Sequence, residues 1–317
     1  MNEDQSPKPL SPVVPGAGEA RRDPLAEGLL APDNVVRGYV ITRVIRSGQS
    51  NNVYAAISPT GQEVAVKEYF PRKLARRLPS GRLGVPNEKS KMQFESGVKG
   101  FVNEAIALAE IQSELLAQYV AAFRDNGTAY LVTALEPGET LEQWVRRLIR
   151  SRVFPSEGDL RYIFWSLLHA VQVMHDRGFL HLDIKPSNVM MRDENTPILI
   201  DLGGARRFPH SSANNAISVS NYTPGFAAPE QHAEKLDLFC PATDIYGLGS
   251  SILYCMTGKI PPLASERKKF ENIEEYLARC TGRYSQQLVQ VVGQCMEMDL
   301  RTRCGNIKEL QNIISSQ

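Results

Sequence analysis

The sequence predicts an α+β fold in two lobes: a small antiparallel sheet with one main helix, then a larger and mostly helical part. Three observations lead there. Runs rich in β-branched residues and punctuated by turns are concentrated between Tyr39 and Thr133. From Ser156 onward, apolar residues recur at helical spacing instead. Ahead of both lies a stretch, residues 1–36, with six prolines and three glycines, which cannot bury enough apolar surface to offset the entropy of ordering it. The expected organisation is a disordered tail over 1–36, a first lobe over 37–135 and a second over 136–317. Leu25, Leu29 and Leu30 are the tail's candidates for docking.

Tyr39-Val-Ile-Thr-Arg-Val-Ile45 reads as a strand, Asn52–Ile57 as the next, and Pro59-Thr-Gly61 turns the chain into Glu63-Val-Ala-Val-Lys67. Val102, Ile106, Leu108 and Ala109 place a helix over 101–112. Asn126-Gly127 is a hairpin signal leading into a strand over Thr128–Thr133. Ser156 and Asp159 form a capping pattern for a helix whose buried face is Leu160, Ile163, Phe164, Leu167, Leu168, Val171 and Met174, and which Gly178 ends. Short apolar strands are expected at 189–191 and 198–200. Asp244 to Met256 is apolar nearly all round, so it is expected at the centre of the second lobe, stopped by Pro261-Pro262. Residues 288–296 and 307–314 read as further helices.

Composition excludes several function classes. Basic and acidic side chains number 36 and 35, a formal net charge of +1, which argues against bulk electrostatic binding to nucleic acid or an anionic membrane surface. No apolar run approaches the roughly 18 residues of a membrane span. The opening MNEDQSPKPL lacks the basic-then-apolar order of a secretory signal. Five cysteines, odd in number and never spaced as CxxC, make a disulfide framework or a zinc site unexpected, and reduced thiols in the cytoplasm are the simpler reading.

The strongest motif is His181-Leu-Asp-Ile-Lys-Pro-Ser-Asn188. Asp201-Leu-Gly203 follows 13 residues after Asn188, and Glu230 of Ala228-Pro-Glu230 lies 29 residues after Asp201. Upstream stands Val64-Ala-Val-Lys67. Taken singly, a His-x-Asp is a capped turn, Lys67 a solvated edge lysine and Glu104 an ordinary helix acid; chance does not supply the ordered set. The set resembles the protein kinase signature over residues 37–315. Lys67-Glu-Tyr-Phe-Pro-Arg72, Asn126–Val132 and Thr223-Pro-Gly-Phe-Ala-Ala-Pro-Glu-Gln231 look like a bacterial, eukaryotic-like branch of Ser/Thr kinases. The resemblance implies a two-lobed protein kinase fold and transfer of the ATP γ-phosphoryl group to protein Ser/Thr hydroxyls, autophosphorylation included.

Phosphoryl transfer needs positioning and charge neutralisation more than covalent chemistry. By the resemblance, Asp183 accepts the proton of the attacking hydroxyl, Lys185 reaches the transferred phosphoryl oxygens, and Thr223 braces both. Asn188 and Asp201 supply hard oxygen ligands suited to Mg²⁺. Lys67 neutralises phosphate charge if an acid holds it, with Glu104 the candidate and Glu110 the rival. Val53, Ala65 and Met190 would line the adenine pocket, Thr133 would stand at its back, and the Ala134 and Glu136 backbones would face the adenine edge. Glu230 has a candidate partner in Arg303, and Asp244 resembles the acid that braces the catalytic loop. Small-molecule phosphotransferases share the His-x-Asp loop but lack the Ala-Pro-Glu segment, which favours a protein substrate.

Several positions depart from the pattern. Arg46-Ser-Gly48-Gln-Ser-Asn51-Asn-Val53 keeps one glycine of the phosphate loop; Asn51, tolerant of positive φ, is expected to preserve the turn. Arg46 is open between phosphate contact and plain solvation. Leu182 stands where the family has an arginine that pairs with an activating phosphate. Together these motivate the alternative of a pseudokinase scaffold. Pro71–Arg82 carries five basic residues and no acid, read either as a solvated loop or as a docking patch for an acidic or phosphorylated partner.

Overall fold

The structure is a computed structural model and describes residues 28–192, 196–208, 222–267 and 273–315. The chain first builds strands β1 (Val35–Val36), β2 (Tyr39–Ser47), β3 (Asn51–Ile57) and β4 (Glu63–Tyr69), then a short hairpin of β5 (Arg76–Arg77) and β6 (Leu83–Gly84). Helix α1 (Glu88–Glu110) follows, and strands β7 (Tyr119–Asp125) and β8 (Thr128–Ala134) complete a sheet in the order β1-β2-β3-β4-β8-β7, antiparallel throughout. Asn126 and Gly127 both take positive φ, 50° and 74°, the geometry of a tight two-residue hairpin.

Side-chain alternation along β4 divides the lobe. Val64 and Val66 join Tyr54, Tyr130, Val132 and Ile41 in an apolar cluster on one face, while Lys67 points to the other. The same cluster holds Leu30 and Val36. The disorder expected through residue 36 therefore fails for its last nine residues. Leu29 and Leu30 are buried, the Leu30 amide donates to the Tyr54 hydroxyl at 3.3 Å, and Val35–Val36 pairs with β2. These side chains cover sheet surface that would otherwise face water. Leu25, with the rest of 1–27, lies outside the described residues.

Helix α1 starts 13 residues earlier than expected, capped by the Asn87 side chain, which accepts from the Ser90 amide at 2.9 Å. Its buried stripe is Phe94, Val98, Phe101, Ala105 and Leu108. Val102 and Ile106, whose spacing marked the helix, are 39% and 41% exposed. Glu104 lies on the buried side and is 2% exposed.

The basic loop is only partly a surface patch. The Arg77 guanidinium meets both oxygens of buried Glu68 at 2.6 Å, and the Tyr54 and Tyr130 hydroxyls donate to the same carboxylate at 2.9 and 2.8 Å. Arg72 turns inward as well, onto the Gly48 carbonyl. Lys73, Arg76 and Arg82 remain exposed.

The second lobe opens with β9 (Glu139–Thr140), α2 (Leu141–Arg150) and α3 (Glu157–Asp176), the last two each capped by a reciprocal side-chain box. Short strands β10 (Phe179–Leu180), β11 (Val189–Met191), β12 (Pro197–Leu199) and β13 (Arg206–Arg207) come next, β10 pairing with β13 and β11 lying between β9 and β12. Helices α4 (Pro229–His232), α5 (Pro241–Thr257), α6 (Ala264–Arg267), α7 (Ile273–Ala278), α8 (Gln286–Cys295) and α9 (Ile307–Ser315) complete it. Every residue of α5 from Ala242 to Met256 is buried, so α5 is the axis of the lobe. It ends on Gly258 in the left-handed region, before the prolines expected to stop it are reached. Among the described residues, no helix is long and apolar enough to cross a membrane.

Gly249 lets α5 and α8 meet closely: a Cβ there would stand 2.6 Å from the Cys295 Cβ. Gly249→Ala improves helix propensity by about 1 kcal/mol, but overpacking costs about 1–3 kcal/mol. Packing is expected to win, and the urea midpoint should fall. A raised midpoint would show that the helices have room to separate.

Candidate active site

The loop after α3 is suspended from α5 by one carboxylate. Asp244 accepts from the backbone amides of His181 at 2.8 Å and Leu182 at 2.7 Å, and its Oδ2 lies 2.8 Å from His175 Nε2. Burial alone would raise the Asp244 carboxyl, but the hydrogen bond and charge of His175, with the His181 side, lower it. Burial pushes His181 below its ordinary value, consistent with a neutral ring whose Nδ1 accepts from the Asp183 amide at 3.2 Å. Leu182 takes φ 65°, which costs a leucine about 1–2 kcal/mol. Its amide and its carbonyl are both held, the latter by Gln231 Nε2 at 2.7 Å.

Three side chains converge on Asp183. Lys185 Nζ donates to Asp183 Oδ2 and to Thr223 Oγ1, each at 2.6 Å. The Thr223 hydroxyl donates to Asp183 Oδ1 at 2.8 Å. Asn188 Nδ2 donates to the Asp183 carbonyl at 3.0 Å and to Oδ2 at 3.1 Å. Asn188 is 1% exposed, and its Oδ1 is buried with no hydrogen-bond partner among the described residues. A buried amide oxygen left without a donor suits a hard cation, so the residues present fit Mg²⁺.

Across the cleft, Lys67 Nζ donates to both Glu104 oxygens and to Asp201 Oδ1, all at 2.8 Å. Glu110, the rival partner, instead holds Arg207 at 2.6 Å at the far end of α1. Burial acts against the Lys67 charge, yet Asp201 and Glu104 outweigh it and raise the ammonium to about 12. Burial likewise pushes Asp201 up, but Lys67 and Arg46 outweigh it and hold the carboxyl well below the usual range. Glu104 is pushed up to about 7, by burial first and with the Asp201 charge adding, against the pull of Lys67. One ammonium serves two carboxylates, with two contacts to Glu104 and one to Asp201.

Gly203 permits this crowding. A Cβ on it would lie 3.0 Å from Asp201 Oδ1, 3.5 Å from Lys67 Nζ and 3.6 Å from Glu104 Oε2. Arg46, open in the sequence, reaches Asp201 Oδ2 at 3.1 Å, but with its side chain 48% exposed the contact is weak and exchangeable.

Val53, Ala65, Thr133, Ala134, Glu136 and Met190 are all half-buried. Ala65 pairs with Thr133 across β4 and β8, and Val53 with Lys67 across β3 and β4. The Ala134 amide is engaged by the Gln118 carbonyl at 2.9 Å, so that amide cannot serve a ligand. The Glu136 side chain is held by Arg192 through two bonds of 2.8 and 3.0 Å. The turn expectation for Asn51 is corrected: it takes no positive φ but begins β3, and its carbonyl accepts from the Gly48 amide at 2.9 Å. Gly48 serves by close approach, since a Cβ there would stand 3.1 Å from that carbonyl.

Glu230 and Arg303 form a two-pronged pair at 2.8 and 3.2 Å with side chains 2% and 0% exposed, and Thr243 donates to Glu230 at 2.8 Å. Leu182 packs with Leu180 and Phe239, flanked by Phe208 and Leu236. Ser211, Ser212, Ser218 and Ser220, the serines of the segment between Asp201 and Glu230 that could carry an activating phosphate, lie outside the described residues. Sequence reasoning missed His175, Gln231 and the inward turn of Arg72. The Gly203-Gly204 pair was the one available sign that side chains crowd at Asp201.

The family model for the protein kinase domain matches residues 39–314. Serine/threonine-protein kinase F of Synechocystis sp. is 29% identical over 237 residues, covering 70% of this chain and 44% of its own length. Serine/threonine-protein kinase PknA of Nostoc sp. is 32% identical over 197 residues, covering 58% and 34%. A solved structure, the PpkA-294 apo form, matches with a TM-score of 0.77 at 27% identity, covering 91% of this chain and 100% of that one. The chain spans less than half the length of these curated relatives.

Lys67→Met should leave buried Glu104 without a counter-ion and Asp201 with the exposed Arg46 alone, a loss of about 3–5 kcal/mol in urea unfolding at neutral pH. Adding Glu104→Gln should recover part of that loss, and adding Glu110→Gln none. Recovery by the Glu110 variant alone would reassign the partner.

Proposed function

The chain belongs to the protein kinase family, and on that premise we propose that it transfers the γ-phosphoryl group of ATP to serine and threonine hydroxyls of proteins. The observation that carries the reading is the convergence of Lys185, Thr223 and Asn188 on Asp183, opposite the Lys67–Glu104–Asp201 cluster. Asp183 orients the acceptor hydroxyl and takes its proton. Lys185, tethered to Asp183 and Thr223, is placed to meet charge developing on the transferred group. Lys67, fixed by Glu104, lies against the phosphates. Asn188 and Asp201 would hold Mg²⁺, which when bound supplies charge neutralisation at the phosphoryl oxygens. Val53, Ala65, Thr133 and Met190 form the adenine side of the cleft.

A protein acceptor is supported by the buried Glu230–Arg303 pair, which anchors the segment leading from Thr223 toward α5. The test is incubation with Mg-ATP and a serine/threonine peptide mixture, with phosphosites on chain and peptides mapped by mass spectrometry. Asp183→Asn keeps the size of the side chain and removes the acceptor charge. Its rate should be at most about one per cent of wild type, since general-base catalysis supplies about 10²–10⁴-fold, with folding and ATP binding nearly unchanged. A wild-type rate in that variant would remove Asp183 from the mechanism.

Regulation follows from what surrounds Leu182. An activating phosphate orders its segment by pairing with cations, but Leu182 packs in an apolar cluster, and of the two nearby arginines that could stand in, Arg207 is engaged by Glu110 and Arg206 is half-buried with contacts of its own. The chain is therefore proposed to act without phosphorylation of that segment. Ser218→Ala/Ser220→Ala should retain most of the wild-type rate on an added peptide. A collapse restored by acidic residues at both positions would overturn this.

A further inference from the structure

We propose that Arg72 is a positioning residue for the nucleotide: its guanidinium holds loop 46–51 in the shape that presents backbone amides to the phosphates. The inference rests on the phosphotransferase reading above. It starts from a deficit. A phosphate loop with three glycines can fold over a triphosphate on backbone freedom alone, and this loop retains only Gly48.

Restraint comes from the chain just after β4. The Phe70 amide donates to the Ser50 carbonyl at 2.7 Å, and the Arg72 amide donates to the Gln49 carbonyl at 3.0 Å. The Arg72 side chain then doubles back. Nε donates to the Gly48 carbonyl at 3.0 Å, while Nη2 donates to Ser47 Oγ and, at 3.3 Å, to Asn52 Oδ1. The Ser47 hydroxyl donates to the same Asn52 oxygen at 3.1 Å. Asn52 is fully buried, so the fork is anchored to the sheet rather than to another mobile group. The guanidinium also lies 5.3 Å from the Phe70 ring centre, which limits its swing.

Geometry links these bonds to phosphate binding. In a planar trans peptide the carbonyl and the amide point opposite ways. Fixing the Gly48 carbonyl on Arg72 therefore turns the Gln49 amide away from Arg72, and the turn bond from the Gly48 amide to Asn51 fixes the peptide before it. A lysine carries the same charge but lacks the planar fork that spans acceptors on three residues.

The experiment compares Arg72→Met and Arg72→Lys with wild type, using direct titration of Mg-AMP-PNP and steady-state kinetics. Lys73→Ala, on an exposed cation one residue away, is the control for local charge. Both Arg72 variants should bind the nucleotide about tenfold more weakly. At saturating ATP their kcat should stay within about twofold of wild type and the peptide KM should not move, because the lost restraint concerns nucleotide binding alone. Lys73→Ala should bind as wild type. Wild-type affinity in Arg72→Lys would show that charge suffices and overturn the proposal, as would wild-type affinity in Arg72→Met or an equal fall in kcat. If Arg72→Met does not fold, Ser47→Ala removes one acceptor of the fork: about a two- to threefold loss of affinity supports the proposal, and no loss overturns it. A wild-type chain that binds no nucleotide sinks the phosphotransferase reading and this inference together. A wild type that binds, matched by Arg72→Met, sinks this inference alone.

Discussion

Lys67 places one positive charge between a buried carboxylate and a half-buried one that belong to different parts of the chain. The lysine is on the sheet, Glu104 on α1 and Asp201 on the loop after β12, with all contacts at 2.8 Å. None of the three could be buried alone without a cost of several kcal/mol, so each constrains the other two. Glu104 must face the sheet, which sets the roll of α1 and selects Phe94, Val98, Phe101, Ala105 and Leu108 as its buried stripe. Asp201 must approach to hydrogen-bond distance, which requires the bare backbone of Gly203. The lobes are thus tied at this point by charge, in addition to the apolar core that runs from Phe94, Leu108 and Leu131 in the first lobe to Leu168, Leu199 and Leu202 in the second.

The catalytic loop obeys a different rule. Asp244 holds two consecutive backbone amides, and it sits on a helix buried along nearly its whole length. Asp183 therefore inherits its position from the core of the second lobe, with Lys185 and Thr223 fixing the direction of its carboxylate and Asn188 holding both carboxylate and backbone carbonyl. A reacting group supported by a rigid element keeps its geometry when nearby surface segments move. The two halves of the site are consequently built with different tolerances.

The parts of this arrangement that were legible in the sequence are those carried by spacing. His181 to Asn188, Asp201 and Lys67 sit on short segments whose chemistry leaves few alternatives, and the helix from Ser156 announced itself by its cap and its stripe. Helix α1 was harder. Val102 and Ile106 are as apolar as the true core residues, and the stripe became clear only with Phe94 and Val98, in a stretch also rich in lysine and glycine. Helix α2 was missed because its ten residues bury only Leu141, Trp144 and Val145, too few for a periodic signal. The burial of Leu29 and Leu30 depends on an exposed sheet face that only the tertiary structure creates. The same holds for the basic loop: five cations look alike in sequence, and only the position of Glu68 and of the Gly48 carbonyl turns Arg77 and Arg72 inward.

Leu182 has a consequence of another kind. Where an arginine would answer to charge, hydrocarbon answers to water. The contact among Leu180, Leu182 and Phe239 is indifferent to ionic strength, because no counter-ions screen it. It weakens on cooling instead, as apolar association does. The apolar part of the support at Leu182 therefore slackens in the cold and is not screened by electrolyte, while the hydrogen bonds to Asp244 and Gln231 keep hold of the strained backbone itself.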